Sequence, residues 1–486
     1  MITVSLDTVP MTIGGVSRVA SNGETIDTVN PATGQIIARI PNATVEDVDL
    51  AVAEASAAFK LWRRTSPEER AEALLAFATV VEEHAEELSA LDVAENGSPI
   101  REMRKDAAAA VSQIRYYAGL VLEAKGETIP TTWNRLNYTL LQPYGVVGRI
   151  VPFNHPLMFA ASKIAAPIAA GNTVIVKPSE YTSLSALRLA ELSKGVFPDG
   201  VFNVVTGYGN TAGDAMVRHP GIRRMAFTGS AETGRHIQAT AASVTLKTIT
   251  LELGGKNPLV VFSDADIDKA IEAAQRGMNF SWQGQSCGST SRLIVQQDIY
   301  NDFVEALAAS VEKMRSGMPD EESTQTGAIV NQLQFDKVSR YLRVGVEDGA
   351  TVVAGGHVLN EGDFAHGYFV RPTVFKNVDP SSRLAQEEVF GPILATMPFT
   401  DYDNALSIAN GVRFGLTASV FSESLKTTTR FARDVEAGYV WVNEVSRHVA
   451  GTGFGGVKDS GIGREEGLEE LLSYTQAKNV HINIED

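Results

Sequence analysis

The sequence holds a single cysteine, Cys287, in 486 residues. That excludes an internal disulfide framework and any thiolate-rich metal site. Its 8 histidines are scattered, none paired at helical spacing with another, so no metal site is expected. One acidic run, Asp264-Ala-Asp266-Ile-Asp268, imitates a calcium loop. Lys269 stands where that loop needs glycine and Gln275 where it needs a bidentate glutamate, so the run reads instead as a helix start. Basic charge is also scarce. Against 58 Asp and Glu there are 42 Lys and Arg, a formal net charge of −16, which argues against nucleic acid or an anionic membrane as partner. Long hydrophobic runs are missing as well. The uncharged stretches 150–162, 164–176 and 277–291 fall short of the roughly 20 apolar residues that span a bilayer. The N-terminal stretch Met1–Asp7 lacks the basic-then-apolar pattern of a secretory signal. A soluble, cytoplasmic protein in a reducing compartment is expected.

What is present is ordinary globular composition, 44% hydrophobic and 21% charged, at a length that predicts two or three domains. Residues 47–124 carry apolar positions at helical spacing, such as Val48, Val52 and Ala55, then Leu74, Phe77 and Val81. From about 146 short β-branched runs alternate with helices. Val146–Val151 precedes a helix over Leu157–Ala170, Thr173–Val176 precedes Leu184–Lys194, Val201–Val205 precedes Ala212–Val217, and Met225–Phe227 precedes Glu232–Ala242. That rhythm predicts an α/β fold, a parallel sheet covered by helices on both faces. A second series follows Leu253, with strands over Leu259–Phe262, Arg292–Val295, Thr351–Val353, Ala418–Phe421 and Tyr439–Val442. The break Gly254-Gly255-Lys256-Asn257-Pro258 reads as the boundary between two such units. Asn137–Gln142 and Val480–Ile484 alternate like antiparallel strands outside both series. An exposed strand pair tends to be covered by a partner, so a homo-oligomer, dimer or tetramer, is expected.

Glycine-rich turns that could cradle a phosphate are present but imperfect. Gly451-Thr-Gly453-Phe-Gly-Gly456 matches GxGxxG yet neither follows a strand directly nor opens a helix. Gly207-Tyr-Gly209-Asn-Thr-Ala-Gly213 and Gly461-Ile-Gly463-Arg-Glu-Glu-Gly467 are each one residue too long, though the first follows a strand. Gly229-Ser230-Ala-Glu-Thr-Gly234 joins a strand to a helix, whose first N–H groups could meet a phosphate. These features alone leave nucleotide binding and plain tight turns equally open. Cys287, in the uncharged run Trp282-Gln283-Gly284-Gln285-Ser286-Cys287-Gly288, is by itself either buried filler or a reactive sulfur.

Several segments become specific when taken together: Pro152-Phe153-Asn154-His155-Pro156; Lys177-Pro178-Ser179-Glu180; Leu251-Glu252-Leu253-Gly254-Gly255-Lys256-Asn257-Pro258; Gly284-Gln285-Ser286-Cys287; Gln386-Glu387-Glu388-Val389-Phe390-Gly391-Pro392; and Phe454-Gly455-Gly456-Val457-Lys458-Asp459-Ser460-Gly461. In this order and at these intervals the chain resembles the aldehyde dehydrogenase superfamily over nearly its whole length.

The resemblance implies two doubly wound parallel-sheet domains, one a variant Rossmann cofactor domain and one catalytic, plus a small antiparallel oligomerisation segment. It places the dinucleotide-binding domain at 1–120 and 144–253, the catalytic domain at 254–455, and the bridging segment at 121–143 and 466–486. Cys287 becomes the nucleophile, Glu252 the general base and Asn154 the oxyanion donor together with the Cys287 backbone N–H. An aldehyde carbon must become tetrahedral before it can give up hydride, which is why a thiol has to add first. Glu252 further implies hydrolysis of the acyl-enzyme to a free acid, since relatives that pass the acyl group to coenzyme A lack this glutamate. The same comparison places Lys177 and Glu180 on the adenosine ribose, which favours NAD over NADP because a carboxylate repels a 2′-phosphate. Pro152, Phe153, Ser179, Gly209, Gly213, Phe227, Gly229, Ser230, Thr233 and Leu253 would line the dinucleotide, with Glu388 and Phe390 at the nicotinamide ribose.

Phe153, His155 and Ser281-Trp282 depart from the commonest family pattern. Trp282, Phe280, Met158 and Phe159 point to a pocket for an apolar or aromatic aldehyde, and no arginine cluster calls for a dicarboxylic semialdehyde, although Arg115 and Arg447 lie elsewhere in the chain. The alternatives are an amino-aldehyde or semialdehyde substrate, a cofactor-independent thiol esterase of the same fold, or a non-catalytic protein.

Overall fold

The computed structural model of the chain describes residues 8–485; the Met1–Asp7 stretch in which no signal was found lies outside them. Four helices, Val45–Trp62, Pro67–Glu83, Ala85–Asn96 and Ile100–Gly119, make up the N-terminal helical region. The first two open on capping boxes in which Thr44 and Ser66 each accept from the backbone three residues on. Val48, Val52, Ala55, Leu74, Phe77 and Val81 all sit in one core with Val174 and Ile175 of the neighbouring sheet, as their spacing predicts.

That sheet has eight strands, ordered Val16–Arg18, Met11–Ile13, Phe202–Val204, Thr173–Lys177, Val146–Ile150, Ile222–Thr228, Thr248–Glu252 and Gly461–Ile462. Its five central strands are parallel. The chain winds outward from Val146–Ile150 to Phe202–Val204, then crosses to Ile222–Thr228 on the other side. The strand order therefore reverses between Val146–Ile150 and Ile222–Thr228, and a crevice opens at their carboxyl ends, where α/β sheets take their ligands.

A second sheet of seven strands is ordered Thr351–Ala354, Thr373–Lys376, Ile393–Phe399, Arg292–Gln296, Pro258–Val261, Thr417–Phe421 and Tyr439–Val442. A third, antiparallel sheet pairs Thr475–Asn483 with Arg135–Pro143, which carries Thr128–Ile129 on its other edge. The segment Glu252–Pro258 runs from the carboxyl end of the first sheet to the amino end of the second. This connection, and the return from Tyr439–Val442 to Gly461–Ile462, bring the chemistry of the two sheets together.

The structure corrects the sequence reading in several places. The sheets are parallel except at three of their four edges. Met11–Ile13 with Val16–Arg18, Gly461–Ile462, and Thr351–Ala354 all join antiparallel at edges. The helix expected over Leu157–Ala170 is two, Pro156–Ser162 and Ala165–Ala169. Pro167 lacks an N–H and its ring crowds the Lys163 carbonyl four residues back, so the ladder breaks there. The helix expected at Ala212–Val217 begins as a wide turn over Gly209–Gly213 and becomes α-helical at Asp214–Arg218. The acidic run imitating a calcium loop is a helix cap, with Asp266 accepting from the Lys269 N–H at 3.2 Å. No helix among the described residues is long and apolar enough to cross a membrane, and no group of three or more His, Cys, Asp or Glu among them is placed to hold a metal ion.

Candidate active site

Cys287 sits on the irregular segment just before strand Arg292–Gln296. The backbone there is contorted: Asn279 and Gln283 adopt left-handed conformations around the single turn Phe280–Trp282, followed by Gly284 at φ +65°. A Cβ at Gly284 would meet the Gly391 carbonyl oxygen at 2.2 Å, so glycine is required at this approach. Asn257 pins the loop. Its Nδ2 donates to the carbonyls of Cys287 at 2.7 Å and Ser289 at 2.9 Å, while its Oδ1 accepts from the Thr417 N–H at 3.1 Å. The Cys287 carbonyl is thereby occupied, whereas its N–H donates to no group among the described residues.

Burial pushes the Cys287 thiol up to about 12, and the charges of Glu252, Glu388 and Glu466 act in the same direction. The cysteine is nonetheless part-exposed, because its environment is a cavity rather than packed core. A thiol held this high is almost wholly protonated at neutral pH and needs a base or an electropositive neighbour to become nucleophilic.

Glu252 ends strand Thr248–Glu252 and is buried, with neither carboxylate oxygen hydrogen-bonded among the described residues. Burial raises its pKa well above the usual carboxylate range, and Glu465 adds to the effect against Lys163, Arg149 and Arg464. Gly455 packs against it so closely that a Cβ there would lie 2.7 Å from Glu252 Oε1. Asn154 follows strand Val146–Ile150 and is 3% exposed. Its Oδ1 has no partner, and its side chain makes no hydrogen bond among the described residues. Two adjoining groups with unpaired polar atoms beside a thiol form a site prepared for something that is not part of the chain.

Two cavities meet there. The first, about 340 Å³, is lined by Cys287, Glu252, Thr228, His155, Met158, Phe159, Trp282, Trp441 and His448 among others. The second, about 150 Å³, approaches Cys287, Glu252 and Thr228 from the opposite side and is lined by Pro152, Phe153, Asn154, Gly229, Ser230, Leu253, Glu388 and Phe390. Through Pro152, Phe153, Thr228 and Gly229 it continues into a third, about 290 Å³, that holds Lys177, Ser179, Glu180, Gly209, Gly213, Phe227 and Thr233. Every residue singled out from the sequence for catalysis or cofactor contact therefore borders one continuous trough across the switch point. A roomier open depression of about 780 Å³ beside Glu46 meets the outer end of the trough at Asp214 and does not reach Cys287.

The trough fits an extended dinucleotide. At its outer end the buried Lys177 amine donates to the Pro178 carbonyl at 3.0 Å and to Glu180 at 3.3 Å, which leaves its third N–H unengaged. Burial lowers the Lys177 pKa while Glu180 opposes the shift. Midway, Ser230 caps the helix Ala231–Val244, whose first N–H groups open onto the crevice. A Cβ at Gly229 would strike the Phe227 ring at 2.4 Å, so the wall keeps its shape only with glycine. At the inner end Glu388 Oε1 accepts from the Gly255 N–H at 2.9 Å, and a Cβ at Gly254 would collide with its other oxygen at 2.2 Å. The Phe390 ring meets Phe153 edge-on at 5.7 Å.

The sequence reading missed several groups. Gln334 and Lys337, on helix Gln332–Glu347, also line the inner trough, and Gln334 Nε2 donates to the Phe390 carbonyl at 2.7 Å. The run Gly461–Gly467, weighed only as a phosphate cradle, supplies Glu465 and Glu466. Glu465 joins the buried Arg149 at 2.6 Å and Lys163 at 2.9 Å. Burial alone would raise the Glu465 pKa, but these two cations hold it below the usual range. No local motif signals this cluster, because its members come from a strand, a helix break and a distant loop. Phe280, expected in the substrate pocket, is instead 1% exposed in the core of the second sheet. Arg115 pairs with Glu82 at 2.6 Å on the surface, and neither it nor Arg447 lines the cavity.

Comparison with known proteins bears on this arrangement. The model of the aldehyde dehydrogenase family matches residues 18–480. Aldehyde dehydrogenase (NAD(P)+) 2 of Saccharomyces cerevisiae is 42% identical over 473 residues, 96% of this chain and 93% of the yeast protein. The structure of PnpE from Pseudomonas sp. WBC-3 in complex with nicotinamide adenine dinucleotide superposes with a TM-score of 0.96 at 41% identity, covering 98% of each chain. An aldehyde dehydrogenase from Bacillus cereus, solved as its NAD+ complex, gives a TM-score of 0.95 at 40% identity over 98% of this chain and 96% of the other.

Proposed function

The chain belongs to the aldehyde dehydrogenase family, and from that premise we propose that it oxidises an apolar or aromatic aldehyde to the carboxylic acid with NAD. The observation that carries this reading is the meeting of two cavities at Cys287 and Glu252, one shaped for an extended ligand and the other walled by aromatic side chains.

In this reading the aldehyde enters beside Trp282 and Phe159, Cys287 gives up its thiol proton to water in the cavity, and the resulting thiolate Sγ adds to the carbonyl carbon to form a thiohemiacetal. The oxyanion takes hydrogen bonds from the Asn154 amide and the Cys287 N–H, neither of which donates to any group among the described residues. Bound NAD supplies the acceptor for the hydride that leaves this carbon. Glu252 takes a proton from water, which attacks the thioester on Cys287 and frees the acid. A buried carboxylate without hydrogen bonds is a strong base once ionised, which suits it to that step. Lys163 and Arg149 hold Glu465 charged, so that Glu252 is the carboxyl left to gain and lose protons.

Glu180 supports NAD over NADP, since its carboxylate beside Lys177 would meet a 2′-phosphate with like charge. The yeast relative's name covers both cofactors, so the preference here rests on Glu180 itself. The third sheet leaves Ile129, Leu136, Leu140 and the 99% exposed Trp133 on its surface, which supports a homo-oligomer joined through it. A single thiol with no disulfide partner supports a reducing, cytoplasmic setting. The test is a panel of aliphatic, aromatic and charged aldehydes assayed for reduced cofactor with NAD and with NADP. NADH formation greatest with aromatic aldehydes is expected; no cofactor reduction with any aldehyde would overturn the reading.

A further inference from the structure

The substrate side of Cys287 contains two imidazoles, each tied to a carboxylate. His155 Nδ1 lies 2.7 Å from Asp106 Oδ2, and His448 Nδ1 lies 2.8 Å from Glu466 Oε2. The His155 pair is the more enclosed, with side chains 12% and 6% exposed. Its ring is wedged edge-on against Phe159 at 5.5 Å and at a tilt against Trp282 at 5.8 Å, which holds it in this orientation. A neutral imidazole that donates Nδ1–H to a carboxylate presents Nε2 as an acceptor. That nitrogen has no partner among the described residues, although His155 lines the cavity. Trp282 Nε1 and Ser446 Oγ, from residues lining the same cavity, are likewise buried without partners. An apolar aldehyde would leave all three polar groups unpaired.

The charges around the cavity decide what kind of polar group belongs there. A carboxylate is disfavoured, because four carboxyl side chains, Asp106, Glu252, Glu465 and Glu466, line the cavity against Lys105 and Lys163. Both lysines are already committed, Lys105 to Glu102 at 2.8 Å and Lys163 to Glu465 at 2.9 Å. An ammonium group is disfavoured too. Lys105 covers the Trp282 ring at 5.9 Å and Lys163 the Phe159 ring at 5.8 Å, so the two aromatic rings packed against His155 already hold cations. Asp106 and Glu466 are engaged by the histidines. A neutral group that donates a hydrogen bond remains.

We propose that the substrate is a neutral aldehyde bearing a hydroxyl on an aromatic or similarly apolar body, and that His155 Nε2 accepts the proton of that hydroxyl. Asp106 acts through His155 as a positioning residue that fixes the tautomer and ring. This specificity rests on the dehydrogenase reading above. The experiment compares kcat/KM with NAD for hydroxybenzaldehydes, the matching methoxybenzaldehydes, which cannot donate, and benzaldehyde. The full-length enzyme is used, alongside His155→Phe, His155→Gln and Asp106→Asn. The wild type should favour one hydroxybenzaldehyde over its methoxy counterpart by about tenfold or more, the worth of one hydrogen bond at a site built to receive it. His155→Phe should bring that ratio close to one, and His155→Gln, which keeps an acceptor, should restore part of it. Asp106→Asn should lower the ratio through KM for the hydroxylated aldehyde. A wild-type ratio near one, or a ratio that survives His155→Phe, would overturn the proposal while benzaldehyde oxidation left the dehydrogenase reading standing. No NADH from any of these aldehydes would overturn both.

Discussion

Asn154 offers a perturbation in which activity and stability should separate. Its amide is 3% exposed, its Oδ1 is unpaired, and its side chain bonds to nothing among the described residues. In the folded enzyme without substrate this is a cost, since a buried amide lacking partners is destabilising by about 1–3 kcal/mol. Asn154→Ala removes that burden, and the space released opens onto the existing cavity of about 150 Å³ rather than into packed core. The melting temperature should therefore stay the same or rise. In the reaction the same amide is one of two donors to the oxyanion, and losing such a donor costs about 100- to 1,000-fold in rate, roughly 2.7–4 kcal/mol. The assay is kcat/KM for one good aldehyde together with a thermal melt of both proteins. A loss smaller than about tenfold would refute the oxyanion role. A marked fall in melting temperature would refute the argument that this amide is unsatisfied and kept for catalysis.

Glu252→Gln should retain a burst of NADH while steady turnover collapses, because only hydrolysis of the thioester needs the carboxylate; undiminished steady turnover would remove Glu252 from that step. The stability of the wild type should also depend on pH in a definite sense. Burial raises the Glu252 pKa above its reference of 4.5, so the folded state holds a proton that the unfolded state releases. The stability from this group is fully present below the unfolded pKa and is lost as pH rises through the folded one. The melting temperature of Glu252→Gln relative to wild type should climb across that window, and a flat difference would contradict the assignment. Glu180→Ser should raise kcat/KM with NADP relative to NAD by about tenfold, the effect of removing one like charge from the 2′-phosphate site; an unchanged ratio would mean that Glu180 does not discriminate. Leu136→Arg with Leu140→Arg places charges on the exposed face of strand Arg135–Pro143 and should shift the protein to monomer in analytical ultracentrifugation. An unaltered assembly would place the interface elsewhere.

Much of the fold was legible because its parallel centre leaves a periodic trace. Val146–Ile150, Thr173–Lys177 and Ile222–Thr228 are mostly β-branched or apolar, broken only by Gly148 and a few basic residues, with helices between them. The edges were less legible. Met11–Ile13, Val16–Arg18 and Gly461–Ile462 are too short to show a period, and their pairing is fixed by distant strands. The break in the helix after Ser162 turns on Pro167, whose effect lands four residues earlier. At the site, Cys287, Glu252 and Asn154 lie in short local motifs. Gln334, Lys337, Glu465 and Glu466 reach the cavity from elements far away in the chain, so only the fold reveals them. His155 shows the same limit: its departure from the family pattern was visible, but Asp106, which gives the departure meaning, lies 49 positions away on another helix.

The central claim is that Cys287 carries the acyl group. Glu252→Gln enzyme mixed with aldehyde and NAD, quenched in acid and digested, should yield the peptide containing Cys287 with the mass of the thioester-linked acyl group added. The amount of adduct should equal the NADH released in the burst. An adduct on any other side chain, or NADH formed with that peptide unmodified, would contradict the account.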